Sequence, residues 1–149
     1  LLMLEFYFVL AAVKKVPTSV FWKLLLGSLV MLIGGYAGEA GYVSAMLGFI
    51  IGMAGWIYIL YEIFSGEAGK IASKSGNKSL ITAFSAMRII VTVGWAVYPL
   101  GYMFGYLTSG GVNVDSLNIL YNAADFLNKI AFGLIIWACA MQNTSSRAK

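Results

Sequence analysis

Apolar residues fill five long stretches of the chain, and short polar connections separate them. The stretches cover residues 1–13, 21–36, 42–64, 80–107 and 117–141. A bilayer core of roughly 30 Å takes about 20 apolar residues per helix. The third, fourth and fifth stretches meet that length. The second is short, so it borrows flanking residues or crosses with little tilt. The first is too short to span. The expected helices are 1–13, 20–37, 42–64, 78–107 and 115–142, in a single transmembrane domain over residues 1–149. Pro17 stops the chain between the first two, because it has no N–H for a helix interior. Gly38-Glu39-Ala40-Gly41 forms the second connection, and residues 65–79, rich in Gly, Ser and Lys, form the third and longest loop. Ser109-Gly110-Gly111 marks the fourth, and residues 143–149 are a polar tail.

Composition sharpens this reading. Of 149 residues, 60% are apolar and 11% charged, with a mean hydropathy of +0.84. A soluble domain carries roughly 25% charged residues, so a water-soluble single core is excluded, and so is disorder. The fold class is all-α membrane protein. Cys139 is the sole cysteine and histidine is absent. That excludes a disulfide framework and an ordinary zinc site, and no metal is expected. The net charge of +4 does not gather into a basic stripe beside aromatics, so nucleic acid is not an expected partner. The chain opens Leu1-Leu2-Met3 inside an apolar run, without a charged leader. The expectation is a sequence whose N-terminal part is missing.

Charge sets the orientation. Lys14 and Lys15 lie in the first connection, with Lys23 just beyond; Lys70, Lys74 and Lys78 lie in the third; Arg88 is two to three turns into the next helix; Arg147 and Lys149 lie in the tail. The second and fourth connections carry Glu39 and Asp115 and no base. The positive-inside rule then places the first and third connections and the C-terminus in the cytoplasm. The first and fifth helices run from outside to inside.

Three of the charges within the apolar runs carry the chemical argument. Lys129 sits near the middle of the fifth helix, where an ammonium costs several kcal/mol or more unless paired or neutralised. Asp125 lies four residues earlier on the same face, about 5.4 Å towards the outside. Two readings of this pair stand: an ion pair that holds helices, or a counterion beside a cation formed at Lys129. Glu5 lies eight residues before Val13, roughly 12 Å below the cytoplasmic end of its helix. An unpaired carboxyl there is expected to keep its proton, although a helix-end glutamate reaching for headgroups is the alternative. Glu5 inward, Lys129 central and Asp125 outward make a proton-binding group with a donor on one side and an acceptor on the other. That is the minimum for vectorial proton transfer. A buried lysine is also a natural Schiff-base former.

The fourth helix carries Gly94-Trp95-Ala96-Val97-Tyr98-Pro99-Leu100-Gly101-Tyr102. Trp95, Tyr98 and Tyr102 share a face at helical spacing. Pro99 opens the hydrogen-bond ladder, which membranes tolerate where neighbours compensate. Rigid aromatics beside such a break suit a flat apolar ligand, with plain core as the alternative.

The Trp-x-x-Tyr-Pro motif on the penultimate helix, followed by Asp125-x-x-x-Lys129 on the last, resembles the microbial rhodopsins, and within them the proteorhodopsin group. Glu5-Phe6-Tyr7, residues 35–41, residues 95–102 and residues 121–129 carry the closer match. The resemblance implies a seven-helix bundle of which the end of helix C and all of D, E, F and G are present. It implies all-trans retinal bound to Lys129 as a Schiff base, with Asp125 as part of its counterion and Glu5 as cytoplasmic proton donor. It puts Trp95, Tyr98, Pro99 and Tyr102, with Phe49, Gly52 and Trp56 on the helix before, around the chromophore. Leu2 falls where this family carries leucine with green absorption and glutamine with blue. The main acceptor of the group, a helix C aspartate, and its helix B histidine partner lie at positions before Leu1. The implied function is light-driven outward proton pumping, in a multi-pass protein of the bacterial inner membrane and not an enzyme. A retinal photosensor signalling to a transducer is the alternative, and a membrane protein with a plain ion pair is the third. Small-residue spacings at Gly34 and Gly38, Gly48 and Gly52, and Gly101 and Gly105 serve packing within the bundle, with a homo-oligomer contact as the alternative.

Overall fold

The computed structural model describes residues 2–108 and 113–147, with the backbone alone for Val114, Ser146 and Arg147. All regular structure among them is helical. The helices are α1 (Leu2–Ala11), α2 (Thr18–Glu39), α3 (Ala45–Phe64), α4 (Glu67–Ser73), α5 (Lys78–Thr92), α6 (Val97–Tyr102) and α7 (Val114–Arg147). A 3₁₀ turn, Gly94–Ala96, precedes α6, and a π turn, Met103–Leu107, follows it. Four stretches are long and apolar enough to cross a membrane: Thr18–Glu39, Ala45–Ser73, Lys78–Leu107 and Asp115–Ser145. The Ser109-Gly110-Gly111 part of the fourth connection and Lys149 lie outside the described residues.

Local chemistry sets the starts. Ser44 Oγ accepts the Leu47 N–H at 3.3 Å, and Asn77 Oδ1 accepts that of Leu80 at 3.1 Å. Each side chain satisfies a donor that a helix start leaves orphaned. Gly41 (φ +76°) and Gly76 (φ +72°) take the left-handed conformation that reverses the chain before α3 and α5.

Two connections differ from the sequence expectation. Residues 67–73 form α4 rather than loop, because the Glu62 carboxylate turns back and accepts the Ala68 N–H at 3.0 Å. Ala68 and Ala72 are buried beneath it. The tail also continues as helix to Arg147. Its polar residues do not break the ladder, because Asn143, Thr144 and Ser145 each donate to the carbonyl four residues back.

The antiparallel pair α2 and α3 packs through glycine. A Cβ at Gly48 would stand 2.6 Å from Gly38 Cα, and one at Gly55 would stand 2.6 Å from Met31 N. Without a hydrophobic drive between helices in lipid, such backbone approach is what gains dispersion energy. Gly34, Gly38 and Gly48 of the predicted spacings thus make contacts between α2 and α3. One buried core runs from α2, α3 and α4 into α1, α5 and α7. Phe6 meets Phe84 edge-on at 4.9 Å and Phe132 at 5.6 Å, and all three rings are fully buried. Met3, Leu10, Leu80, Met87 and Val91 close around them.

Arg88 lies inside the α5 span. Its guanidinium stands 4.7 Å from the Phe84 ring centre and 5.1 Å from that of Phe64. Its buried Nε has no hydrogen-bond partner among the described residues, so the two rings are its compensation, as cation–π contacts.

Candidate functional site

The long helix α7 presents Asp125 and Lys129 one turn apart, and Lys129 Nζ lies 2.5 Å from Asp125 Oδ2. The other carboxylate oxygen, Oδ1, accepts a hydrogen bond from the Tyr98 hydroxyl on α6. Both carboxylate oxygens are therefore engaged, one by a cation and one by a neutral donor. Such an arrangement fixes the orientation of Asp125. The pair lies on the open side of α7, with side chains 58% and 45% exposed.

Tyr98 is placed by a break in its own helix. Pro99 has no N–H to give, and the chain tightens to a 3₁₀ turn before it and loosens to a π turn after it. Side chains of neighbouring helices serve carbonyls along this stretch. Asn128 Nδ2 donates to Gly94 O at 3.1 Å, Tyr121 OH to Tyr98 O at 3.2 Å, and Trp56 Nε1 to Val91 O at 3.0 Å. In lipid these groups have no water to turn to, so the three donors make the break tolerable. Asn128 and Tyr121 come from α7, and the same helix that bears Lys129 thereby holds the aromatic segment opposite.

The aromatic residues do not form one flat patch. Trp95 and Tyr98 stand edge to face at 6.4 Å. Tyr102 turns towards α3 instead, where its hydroxyl donates to Ala45 O at 3.0 Å and its ring lies 5.7 Å from Phe49. The stretch therefore reaches two neighbours, with Tyr98 at α7 and Tyr102 at α3. Gly52 faces α2 at ordinary contact: a Cβ there would stand 3.4 Å from Met31 O and 3.5 Å from Gly35 N. Unlike Gly48 and Gly55, it is not demanded by helix approach. Trp56 is fixed at the other end of this wall by its bond to Val91 O.

Glu5 is not brought to Lys129. It is half-buried on α1, and no hydrogen bond or ion pair joins it to another described residue. Its neighbour Phe6 packs on Phe132, which is three residues beyond Lys129 along α7. The fully buried cluster of Phe6, Phe84 and Phe132 thus lies on the C-terminal side of Lys129. Leu2 is half-buried and packs against the same cluster.

The ends of the helices sort as the charges do. Lys14 Nζ donates to Lys74 O at 2.8 Å, and Asn77 Nδ2 donates to Asn143 Oδ1 at 2.5 Å. These bonds bring the first connection, the third and the C-terminal part of α7 to one end of the array.

The sequence reading passed over Glu62, Tyr121 and Asn128. Glu62 is 2% exposed; its signal was a lone carboxylate within the third apolar run. Asn128 and Tyr121 were visible only as part of a motif, since nothing local reveals which carbonyl a side chain will serve. Among the described residues no cluster of His, Cys, Asp and Glu could hold a metal.

Residues 1–143 match the family described as bacteriorhodopsin-like protein. Blue-light absorbing proteorhodopsin of Gamma-proteobacterium Hot 75m4 is 53% identical over 95% of this chain and 57% of its own length. Green-light absorbing proteorhodopsin of Gamma-proteobacterium EBAC31A08 is 49% identical over 98% of this chain and 58% of its own. Among solved structures, the blue light-absorbing proteorhodopsin from Med12 aligns with a TM-score of 0.76 at 49% identity, over 95% of this chain and 61% of that one. Exiguobacterium sibiricum rhodopsin aligns with a TM-score of 0.83 at 28% identity, over 97% and 66%. The chain spans a little over half the length of the curated relatives it matches.

Proposed function

The chain belongs to the bacteriorhodopsin-like family, and we propose that it binds retinal at Lys129 and acts as a light-driven outward proton pump of the bacterial inner membrane. The observation that carries this reading is the Lys129–Asp125 pair, with Tyr98 donating to the same carboxylate from a broken helix. A primary amine at mid-span beside a fixed carboxylate suits a covalently held cation. Trp95, Tyr98, Pro99 and Tyr102 from the broken segment, with Phe49 and Trp56 from α3, would hold the polyene. Gly52, expected from sequence on this wall, is left out of it, because a Cβ there would point at Met31 O and Gly35 N of α2. The residues present therefore fit the group. Retinal, all-trans at rest, supplies light absorption and isomerisation.

The protein's part is to bind, orient and insulate. Lys129 Nζ is the covalent anchor and holds the transported proton. Asp125 balances that charge from the outer side, and Tyr98 keeps its carboxylate from rotating away. The rings of Phe6, Phe84 and Phe132 form a dry layer on the inner side, which prevents the proton from leaking back. Glu5, unpaired beside that layer, returns a proton to Nζ from the cytoplasmic side. With Lys14, Lys15, Lys70, Lys74 and Lys78 at one end of the helices, that end and the C-terminus are cytoplasmic. Leu2 assigns green absorption; the relatives include both colours, so the assignment rests on that residue.

The test is pigment formation. The complete reading frame, expressed with all-trans retinal, should give a visible band that survives detergent washing. Lys129→Ala should lose the band while keeping its helical circular dichroism. A covalent pigment of normal colour in Lys129→Ala would overturn the proposal.

A further inference from the structure

A cleft of about 700 Å³ opens where the α1–α2 connection meets α4 and the ends of α2 and α3. Five lysines and two glutamates are among the residues that line it. Both acids are already engaged. Glu67 Oε2 takes Lys23 Nζ at 2.8 Å and Ser19 Oγ at 2.9 Å, and buried Glu62 accepts the Ala68 N–H. Among the described residues, Lys14, Lys15, Lys70 and Lys74 have no carboxylate within ion-pair distance. Lys14 is nonetheless held in place by its bond to Lys74 O. Four ammonium groups so gathered repel one another, and a polyvalent anion would relieve them.

The walls of the cleft indicate where such an anion comes from. Tyr58 and Tyr61 line it from α3, and the Tyr58 ring lies over Gly27 of α2, where a Cβ would meet it at 3.0 Å. About one turn deeper than Lys23 and Tyr61, at the level of Tyr58, Leu26 and Ile57 are 55% and 57% exposed on helices long enough to cross a membrane. A charged floor at the helix ends thus runs through two tyrosines into an apolar surface. That is the order of a phospholipid: phosphate, glycerol, acyl chain.

We propose that this cleft binds the phosphate headgroup of an anionic phospholipid of the leaflet on that side, with the acyl chains along the α2–α3 surface. Lys14, Lys15, Lys70 and Lys74 supply the charge, and Tyr58 and Tyr61 bracket the glycerol level. The proposal does not depend on retinal.

The test uses the protein from its complete reading frame, reconstituted in phosphatidylcholine vesicles with trace spin-labelled phosphatidylglycerol or phosphatidylcholine. The motionally restricted fraction should favour phosphatidylglycerol, and each lysine changed to glutamine should lower that preference by up to about fivefold until it reaches the phosphatidylcholine value. K15Q/K70Q is the first variant, since neither side chain makes a described hydrogen bond; K14Q/K15Q/K70Q/K74Q is the second. K78Q, which lies off the cleft, should keep the preference, and circular dichroism reports folding. Equal restriction of the two lipids by the native protein would overturn the proposal. So would a preference undiminished in K15Q/K70Q, or one that survives in K14Q/K15Q/K70Q/K74Q. Full displacement of phosphatidylglycerol by millimolar inorganic phosphate would also overturn it, because the site would then serve a soluble anion.

Discussion

Replacing Gly48 by alanine should force α2 and α3 apart, whereas the same change one turn along, at Gly52, should not. At Gly48 the added Cβ would lie 2.6 Å from Gly38 Cα, 2.8 Å from Gly38 N and 2.9 Å from Gly34 O. All three are backbone atoms, so no side chain can swing aside. Carbon atoms pack best at about 3.5–4.0 Å, so the helices must separate by about 1 Å locally or distort. Overpacking of this kind costs about 1–3 kcal/mol. At Gly52 the nearest atoms would be Met31 O at 3.4 Å and Gly35 N at 3.5 Å. The new methyl meets ordinary contact there, and alanine is the better helix former by about 1 kcal/mol. Gly52→Ala should therefore be neutral or slightly stabilising. Thermal loss of helical circular dichroism in one detergent compares the two variants with the native protein. Equal destabilisation by both, or a neutral Gly48→Ala, would refute the packing argument.

Three further outcomes are expected. Asn128→Ala removes the donor to Gly94 O and should cost about 0.6 kcal/mol, at most about 1.7, in the same unfolding assay; no loss would mean that the break is satisfied otherwise. Glu5→Gln should keep the pigment's colour but slow the last, proton-returning phase of the flash-induced cycle, with azide restoring part of the rate; an unchanged decay would remove Glu5 as donor. Leu2→Gln should move the absorption maximum to shorter wavelength, and an unmoved band would discard Leu2 as the tuning residue.

Helical class and membrane insertion were legible because both follow from summed apolarity and run length, which any packing preserves. The intramembrane charges were legible for a related reason: a Lys at mid-span stands out against apolar neighbours wherever its helix goes. The Asp125–Lys129 contact was within reach too, since residues four apart on a helix must be close. What sequence concealed depended on a third partner. Residues 67–73 hold helix formers, but Gly66, Gly69 and the serines around them read as loop until the Glu62 carboxylate folds back onto Ala68 N. The tail reads as polar until its side chains return to their own helix's carbonyls. Tyr98 and Tyr102 share a helical face by spacing, yet a 3₁₀ turn and a π turn flank their segment, and the two hydroxyls end on different helices.

External pH under illumination tests the proposed activity most directly. Cells expressing the complete reading frame and supplied with all-trans retinal are suspended without buffer, and the pH is recorded with and without a protonophore. Outward pumping from Lys129 predicts acidification in the light that the protonophore abolishes and that Lys129→Ala lacks. A coloured protein that moves no protons would contradict the pump and favour a photosensor, and a protein that forms no pigment would contradict the retinal site itself.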